Sequence, residues 1–182
     1  MATTQLMTAD ELASLADEMG HYELLRGELL PVSPTRARHG EIAGVFAAHL
    51  GGYMLATLSG RLYVAETGFV LGHNPDIVLA PDVAFVRADR LPADAARRGF
   101  LAVAPDLAVE IVSPSDRAGL VVEKVTAYLA AGTRLVCVVR PEQRALTLHR
   151  PDQPPLELSE NATLDGGEVL PGFQIAVRDL FV

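Results

Sequence analysis

Apolar residues recur along this chain with two periods. Leu12, Leu15, Ala16 and Met19 repeat at helical spacing behind Thr8 and Glu11, a Ser/Thr-x-x-Glu arrangement that caps a helix reaching about Gly20. Tyr22 to Leu25 and Glu28 to Val32 are short apolar stretches separated by Arg26-Gly27, the pattern of a β-hairpin, which Pro31 and Pro34 end. Ile42, Val45, Phe46, Leu50 and Met54 mark a long helix from about Arg38 to Leu58, with Gly51-Gly52 as a candidate kink. Leu62 to Leu71, Ile77 to Val86 and Leu107 to Val112 read as three strands. Between the last two, Leu91 to Val103 reads as a short helix or exposed loop. After Ser113-Pro114-Ser115-Asp116, the residues Val121, Val122, Val125, Tyr128 and Leu129 predict a helix that stops at Gly132. Arg134 to Val139 and Ala145 to His149 follow as strands, and the stretch Pro151 to Pro155 as a surface loop. The expected fold is α/β (α+β): one mixed central sheet flanked by helices, with an N-terminal helix and β-hairpin.

Length and composition fit a single domain over residues 1–182, with 49% hydrophobic residues to fill one core. No apolar run approaches the roughly 18 residues of a membrane span, and Met1 to Asp10 lacks the layout of a secretory signal, so a cytoplasmic protein with no membrane partner is expected. The lone Cys137, inside an apolar run, reads as a buried thiol. A net charge of −8 weighs against broad nucleic-acid binding, although carboxylates that hold a metal are counted in it at full charge. A local basic face would have to come from Arg36, Arg38, Arg97, Arg98 and Arg117.

Two acids stand inside apolar strands, where an unpaired carboxylate is costly to bury and a cation would compensate it. Asp82 shares a strand face with Ala84 and Val86. Glu110 shares one with Ala108 and Val112, away from Val109 and Ile111. Ala-Pro-Asp occurs twice, at Ala80 to Asp82 and Ala104 to Asp106. Asp106 and Glu110 lie on one strand about 13 Å apart, too far to share an ion. Asp82, on a neighbouring strand, is therefore the expected partner of Glu110, and Asp106 a strand-entry residue or fallback. His39, Glu66, Glu28 and Glu41 are secondary candidates with surface roles as the simpler reading, and Ser113 and Ser115 are expected to cap the next helix rather than act as nucleophiles.

These pieces together resemble the PD-(D/E)XK nuclease superfamily and, within it, the Uma-two family of restriction-type endonucleases. The resemblance rests on Gly27-Glu28-Leu29, Ser33-Pro34 with His39, Ala80-Pro81-Asp82-Val83, Leu107 to Asp116, Lys124 with Tyr128 and Gly132, and Leu170-Pro171-Gly172-Phe173. It implies a restriction-endonuclease-like fold and a metal-dependent endonuclease cutting DNA, with Asp82 and Glu110 as ligands of Mg²⁺ or Mn²⁺. Valine occupies position 112, where the superfamily pattern places a lysine, and the resemblance implies that Lys124 takes over that duty from the following helix, completing a catalytic set of Asp82, Glu110 and Lys124. Endonucleases of this type that cut both strands commonly pair two sites, so a homodimer is expected. A noncatalytic protein using the fold for binding or assembly, and a hydrolase of a small phosphodiester, are the alternatives.

Overall fold

The computed structural model of the chain describes residues 6–32, 34–65, 67–92, 99–114 and 116–181. Ser33, Glu66, Arg97, Arg98 and Ser115 lie outside these described residues.

Local chemistry accounts for the N-terminal elements. Helix α1 (Ala9–Met19) starts at Thr8, whose hydroxyl accepts from the Glu11 amide at 3.2 Å while the Glu11 carboxylate accepts from the Thr8 amide at 2.8 Å. Strands β1 (Tyr22–Leu25) and β2 (Glu28–Pro31) form the expected hairpin, with Leu25 opposite Glu28. Both turn residues have positive φ, 54° at Arg26 and 77° at Gly27, as a two-residue hairpin turn requires. Helix α2 (Ala37–Thr57) runs through Gly51-Gly52 as one helix, and its buried face presents Ile42, Phe46 and Leu50.

Two of the expected strands are each divided in two. The stretch 62–71 becomes the separate strands β3 (Gly60–Val64) and β4 (Phe69–Gly72), because Ala65 takes φ 56° and Gly68 lies against the Phe100 ring, so close that an added Cβ would stand 2.3 Å from it. The stretch 77–86 becomes β5 (Ile77–Leu79) and β6 (Val83–Arg87), broken at Pro81, which has no amide hydrogen for a ladder. Each break moves the chain from one sheet to another. Strands β2-β1-β5-β4 make a four-stranded sheet. The six-stranded sheet has the order β10-β9-β8-β7-β6-β3, where β7 is Leu107–Ile111, β8 Leu135–Arg140, β9 Ala145–His149 and β10 Leu156–Ser159. Strands β7 and β8 are parallel, joined by α3 (Ala118–Ala130).

The six-stranded sheet is covered on both faces. Val83, Phe85, Leu107, Val109 and Ile111 pack with Cys137 and Val139 under α2. On the other face Ala108, Val136 and Val138 pack under Val125 and Tyr128 of α3. The C-terminal segment, little of which the periodicity anticipated, seals the α2 side: β11 (Thr163–Asp165) pairs with β12 (Gln174–Ala176), and Leu164, Leu170, Phe173, Ile175 and Phe181 join the same core. Among the described residues no helix is long and apolar enough to cross a membrane.

The two Ala-Pro-Asp sequences end in different places. Asp106 is fully buried at the start of β7, where it accepts from the Arg87 amide at 2.9 Å and the Arg90 guanidinium at 2.8 Å. It is a structural acid at the end of the strand opposite Glu110. Breaking such a buried pair from one side leaves polar groups uncompensated, so Asp106→Ala is expected to destabilise the fold by about 3 kcal/mol in chemical denaturation. A loss below about 1 kcal/mol would contradict the structural role.

Candidate active site

Antiparallel pairing of β6 with β7 sets Val83 opposite Val109 and Ala84 opposite Ala108. One residue further along the same ladder, Asp82 comes opposite Glu110, on the face covered by α3. Asp82 lies just outside β6, in the Ala80-Pro81-Asp82 passage between the sheets. Its Oδ2 accepts from the Ile111 amide at 2.6 Å, which anchors it to the end of β7. Its Oδ1 stands 3.3 Å from His39 Nε2, delivered by the first turn of α2.

Glu110 is held from α3. Tyr128 donates its hydroxyl to Glu110 Oε1 at 2.8 Å, and Lys124 Nζ lies 3.3 Å from Oε2. One helical turn separates Lys124 from Tyr128, so a single face of α3 supplies both. Lys124 also binds Glu23, with Nζ 2.9 Å from Oε1 and 2.7 Å from Oε2. Glu23 comes from β1 in the other sheet, and its side chain is only 4% exposed. It accepts from the Ala80 amide at 2.9 Å, next to the proline that ends β5. Val112 packs against the small core under α3, and its amide donates to the Val139 carbonyl at 2.9 Å, so position 112 is a packing position here.

Glu23 is the residue that reasoning from sequence missed. The extra-acid candidates were Glu66, which lies outside the described residues, and Glu28 and Glu41, which are both exposed. The useful signal was present: Glu23, like Glu110, interrupts an apolar strand. His39 also departs from the surface reading, since its side chain is only 12% exposed and it contacts Asp82. Ser113 does not cap α3. Asp116 instead accepts from the Ser113 amide at 2.7 Å and hydroxyl at 3.1 Å, and the helix starts after Arg117 without a side-chain cap. Glu123 pairs with Arg26, leaving Lys124 to the interior acids.

The electrostatics follow from burial and charge count. Burial pushes the Glu110 carboxyl up, and the charges of Glu23 and Asp82 push the same way, so it titrates at about 7 despite Lys124 and the Tyr128 hydrogen bond. Burial alone would lower Lys124, but Glu110 and Glu23 outweigh it and hold the ammonium above the ordinary lysine range. Tyr128 is raised by burial and then by the Glu110 charge. Burial also works against a charged His39, yet the hydrogen bond and charge of Asp82 prevail and its pKa is raised.

Glu23 and Glu110 share the Lys124 ammonium while Asp82 faces His39, so with the three carboxylates ionised and His39 neutral the cluster carries an excess of two negative charges. Among the described residues no group of three or more His, Cys, Asp and Glu side chains is arranged to hold a metal. The oxygens of Asp82 and Glu110 each have one protein donor, and a carboxylate oxygen has a second lone pair to offer. That donor set fits a hard cation held by two protein carboxylates with water completing its shell.

A family model described as "putative restriction endonuclease" (Uma2) matches residues 9–178, and the chain belongs to this family. No curated protein matches it. Among solved structures, a "putative nuclease belonging to DUF820" from Anabaena variabilis has the same fold, with a TM-score of 0.83 at 20% identity over 96% of this chain and 97% of that one. The restriction-endonuclease-like α/β fold expected from the sequence is thereby established.

A carboxyl raised from 4.5 to about 7 by folding stabilises the protein below the lower value, and that contribution disappears as pH rises through the higher one. Without added metal, Glu110→Gln is therefore expected to gain melting temperature relative to wild type between pH 5 and pH 8.5. An unchanged difference across that interval would contradict the charged-cluster account.

Proposed function

We propose that this protein is a metal-dependent endonuclease that hydrolyses DNA phosphodiester bonds, with Asp82, Glu110 and Lys124 as its catalytic residues. The observation that carries this reading is the convergence, at one end of β6 and β7, of two inward-facing carboxylates and a buried lysine, with an uncompensated negative charge. Asp82 and Glu110 would hold Mg²⁺ or Mn²⁺. When bound, the cation supplies positive charge against the anionic transition state.

The protein's own groups have separable tasks. Hydrolysis adds water to phosphorus and breaks a phosphorus–oxygen ester bond; the water loses a proton and the departing oxygen gains one. Lys124 retains its proton at neutral pH, so it serves as fixed positive charge beside the reacting phosphate rather than as a base. Glu23 positions that ammonium, Tyr128 orients Glu110, and His39 with the Ile111 amide orients Asp82. Arg36 lies three residues before His39, and Arg117 adjoins Asp116, whose charge reaches His39. Both arginines are exposed where a phosphate backbone would approach. The acidity of the whole chain favours one competing substrate class, a small phosphodiester.

Supercoiled plasmid incubated with Mg²⁺ or Mn²⁺ is expected to be nicked, to be protected by a chelator, and to survive Asp82→Asn or Glu110→Gln protein whose fold is intact. Lys124→Ala is expected to lower the rate by about 10²-fold or more, the usual cost of one electrostatic group. Turnover of bis(4-nitrophenyl) phosphate without nicking would transfer the proposal to small phosphodiesters. Inertness toward both would end it.

Metal affinity carries its own pH signature, because a cation on Glu110 must displace the proton held there below about pH 7. Calorimetric titration with Mn²⁺ is expected to tighten as pH rises to about 7 and then level off. A flat profile from pH 5.5 to 8 would remove Glu110 from the ligand set. A homodimer is part of the same proposal, and light scattering is expected to give twice the chain mass of 19.4 kDa.

A further inference from the structure

His21, His49 and His73 are exposed, whereas His39 is turned inward beside the carboxylate cluster, its side chain only 12% exposed. Its Nε2 stands 3.3 Å from Asp82 Oδ1. The other oxygen of Asp82 is taken by the Ile111 amide at 2.6 Å, so the imidazole faces the oxygen that no backbone group holds. Two ligands at right angles around an ion about 2.1 Å away lie about 3 Å from each other, close to the separation of this nitrogen and this oxygen.

The ring has a second support. The Ile111 carbonyl accepts a hydrogen bond from the imidazole while the Ile111 amide holds Asp82, so one residue at the end of β7 sets both side chains. A metal-ligating histidine characteristically donates its other ring N–H to a carbonyl or carboxylate, which fixes the ring and makes the binding nitrogen a better ligand. A hydrogen bond to Asp82 also spans 3.3 Å, so a brace and a ligand differ here in chemistry rather than in position.

We propose that His39 is a third protein ligand of the cation, beside Asp82 and Glu110, and that its nitrogen makes the site one for Mn²⁺ in preference to Mg²⁺. The inference rests on the reading of Asp82 and Glu110 as metal ligands. Mg²⁺ takes oxygen ligands in a near-ideal octahedron, whereas an imidazole nitrogen adds affinity for a first-row transition ion. His39 and Asp82 are the ready half of that site. Among the described residues no three such side chains already surround one point, so Glu110 joins the pair as the cation binds.

Pulsed EPR of the protein with equimolar Mn²⁺ reads nitrogen coordination directly. A ¹⁴N coupling is expected that changes to the ¹⁵N pattern when the histidines are ¹⁵N-labelled, and that is absent from His39→Gln. That variant separates ligand from brace, because the glutamine amide still donates to Asp82 but offers a metal no imidazole nitrogen. By calorimetry, Mn²⁺ is expected to bind wild type about tenfold or more tightly than Mg²⁺, and His39→Gln to lose most of that preference while still binding Mg²⁺. Mn²⁺ that binds through the two acids, as shown by its loss in Asp82→Asn, but carries no nitrogen coupling would overturn the inference and leave the metal site standing. A coupling that persists in His39→Gln, or an unchanged Mn²⁺ preference in that variant, would likewise remove His39 from the ligand set. Failure of wild type to bind Mn²⁺ at all would end both the inference and the reading on which it rests.

Discussion

The Lys124 ammonium, clamped between Glu23 and Glu110, is the interaction on which the site depends. Each partner belongs to a different structural unit: Glu23 to the four-stranded sheet, Glu110 to the six-stranded sheet, and Lys124 to the helix joining β7 to β8. Taking three such charges from water is expensive, and their attraction repays the cost only where the geometry is close and the remaining lone pairs are satisfied. Here the Ala80 amide and the Tyr128 hydroxyl satisfy two of them. The Ala80 contact also fixes the passage through Pro81 that carries Asp82 to the mouth of the site. Removing the lysine would leave Glu23 buried beside two further acids, so the side chain proposed to act on the phosphate is also one the fold requires.

The same chemistry separates the two Ala-Pro-Asp sequences. Asp106 is matched by a guanidinium and a backbone amide at the closed end of the sheet, and its charge is spent there. Asp82 and Glu110, at the other end, share too few cations among the protein's own groups. Burial first, and then the charges of Glu23 and Asp82, bring the Glu110 carboxyl to about 7 although Lys124 opposes them. Part of the −8 total for the chain is thus gathered at this one buried cluster.

Where one local rule governed an element, the sequence was sufficient. The Thr8–Glu11 capping box, the Arg26-Gly27 hairpin and the extent of β9 all follow from residues within a few positions of each other. Periodicity failed where the chain changed sheets, because apolar residues continue across Ala65 and Pro81 while the backbone turns. It also failed at the C-terminus, where strands of three or four residues contribute only one or two inward side chains apiece. Asp82, Glu110 and Lys124 were legible from acids set in apolar strands together with the family resemblance, and the structure brings them to one place. Glu23 gave the same signal and was passed over, because its role depends on a contact 101 positions away in the chain, which no local pattern encodes.

On the proposed function, the negative charge gathered around Asp82 and Glu110 binds a divalent cation. Crystals soaked in Mn²⁺ and measured at the manganese absorption edge test it directly. The account predicts an anomalous peak within about 2–2.5 Å of oxygens from both carboxylates. A protein saturated with Mn²⁺ whose anomalous density lies elsewhere, with Lys124 still bridging Glu23 and Glu110 unchanged, would contradict it.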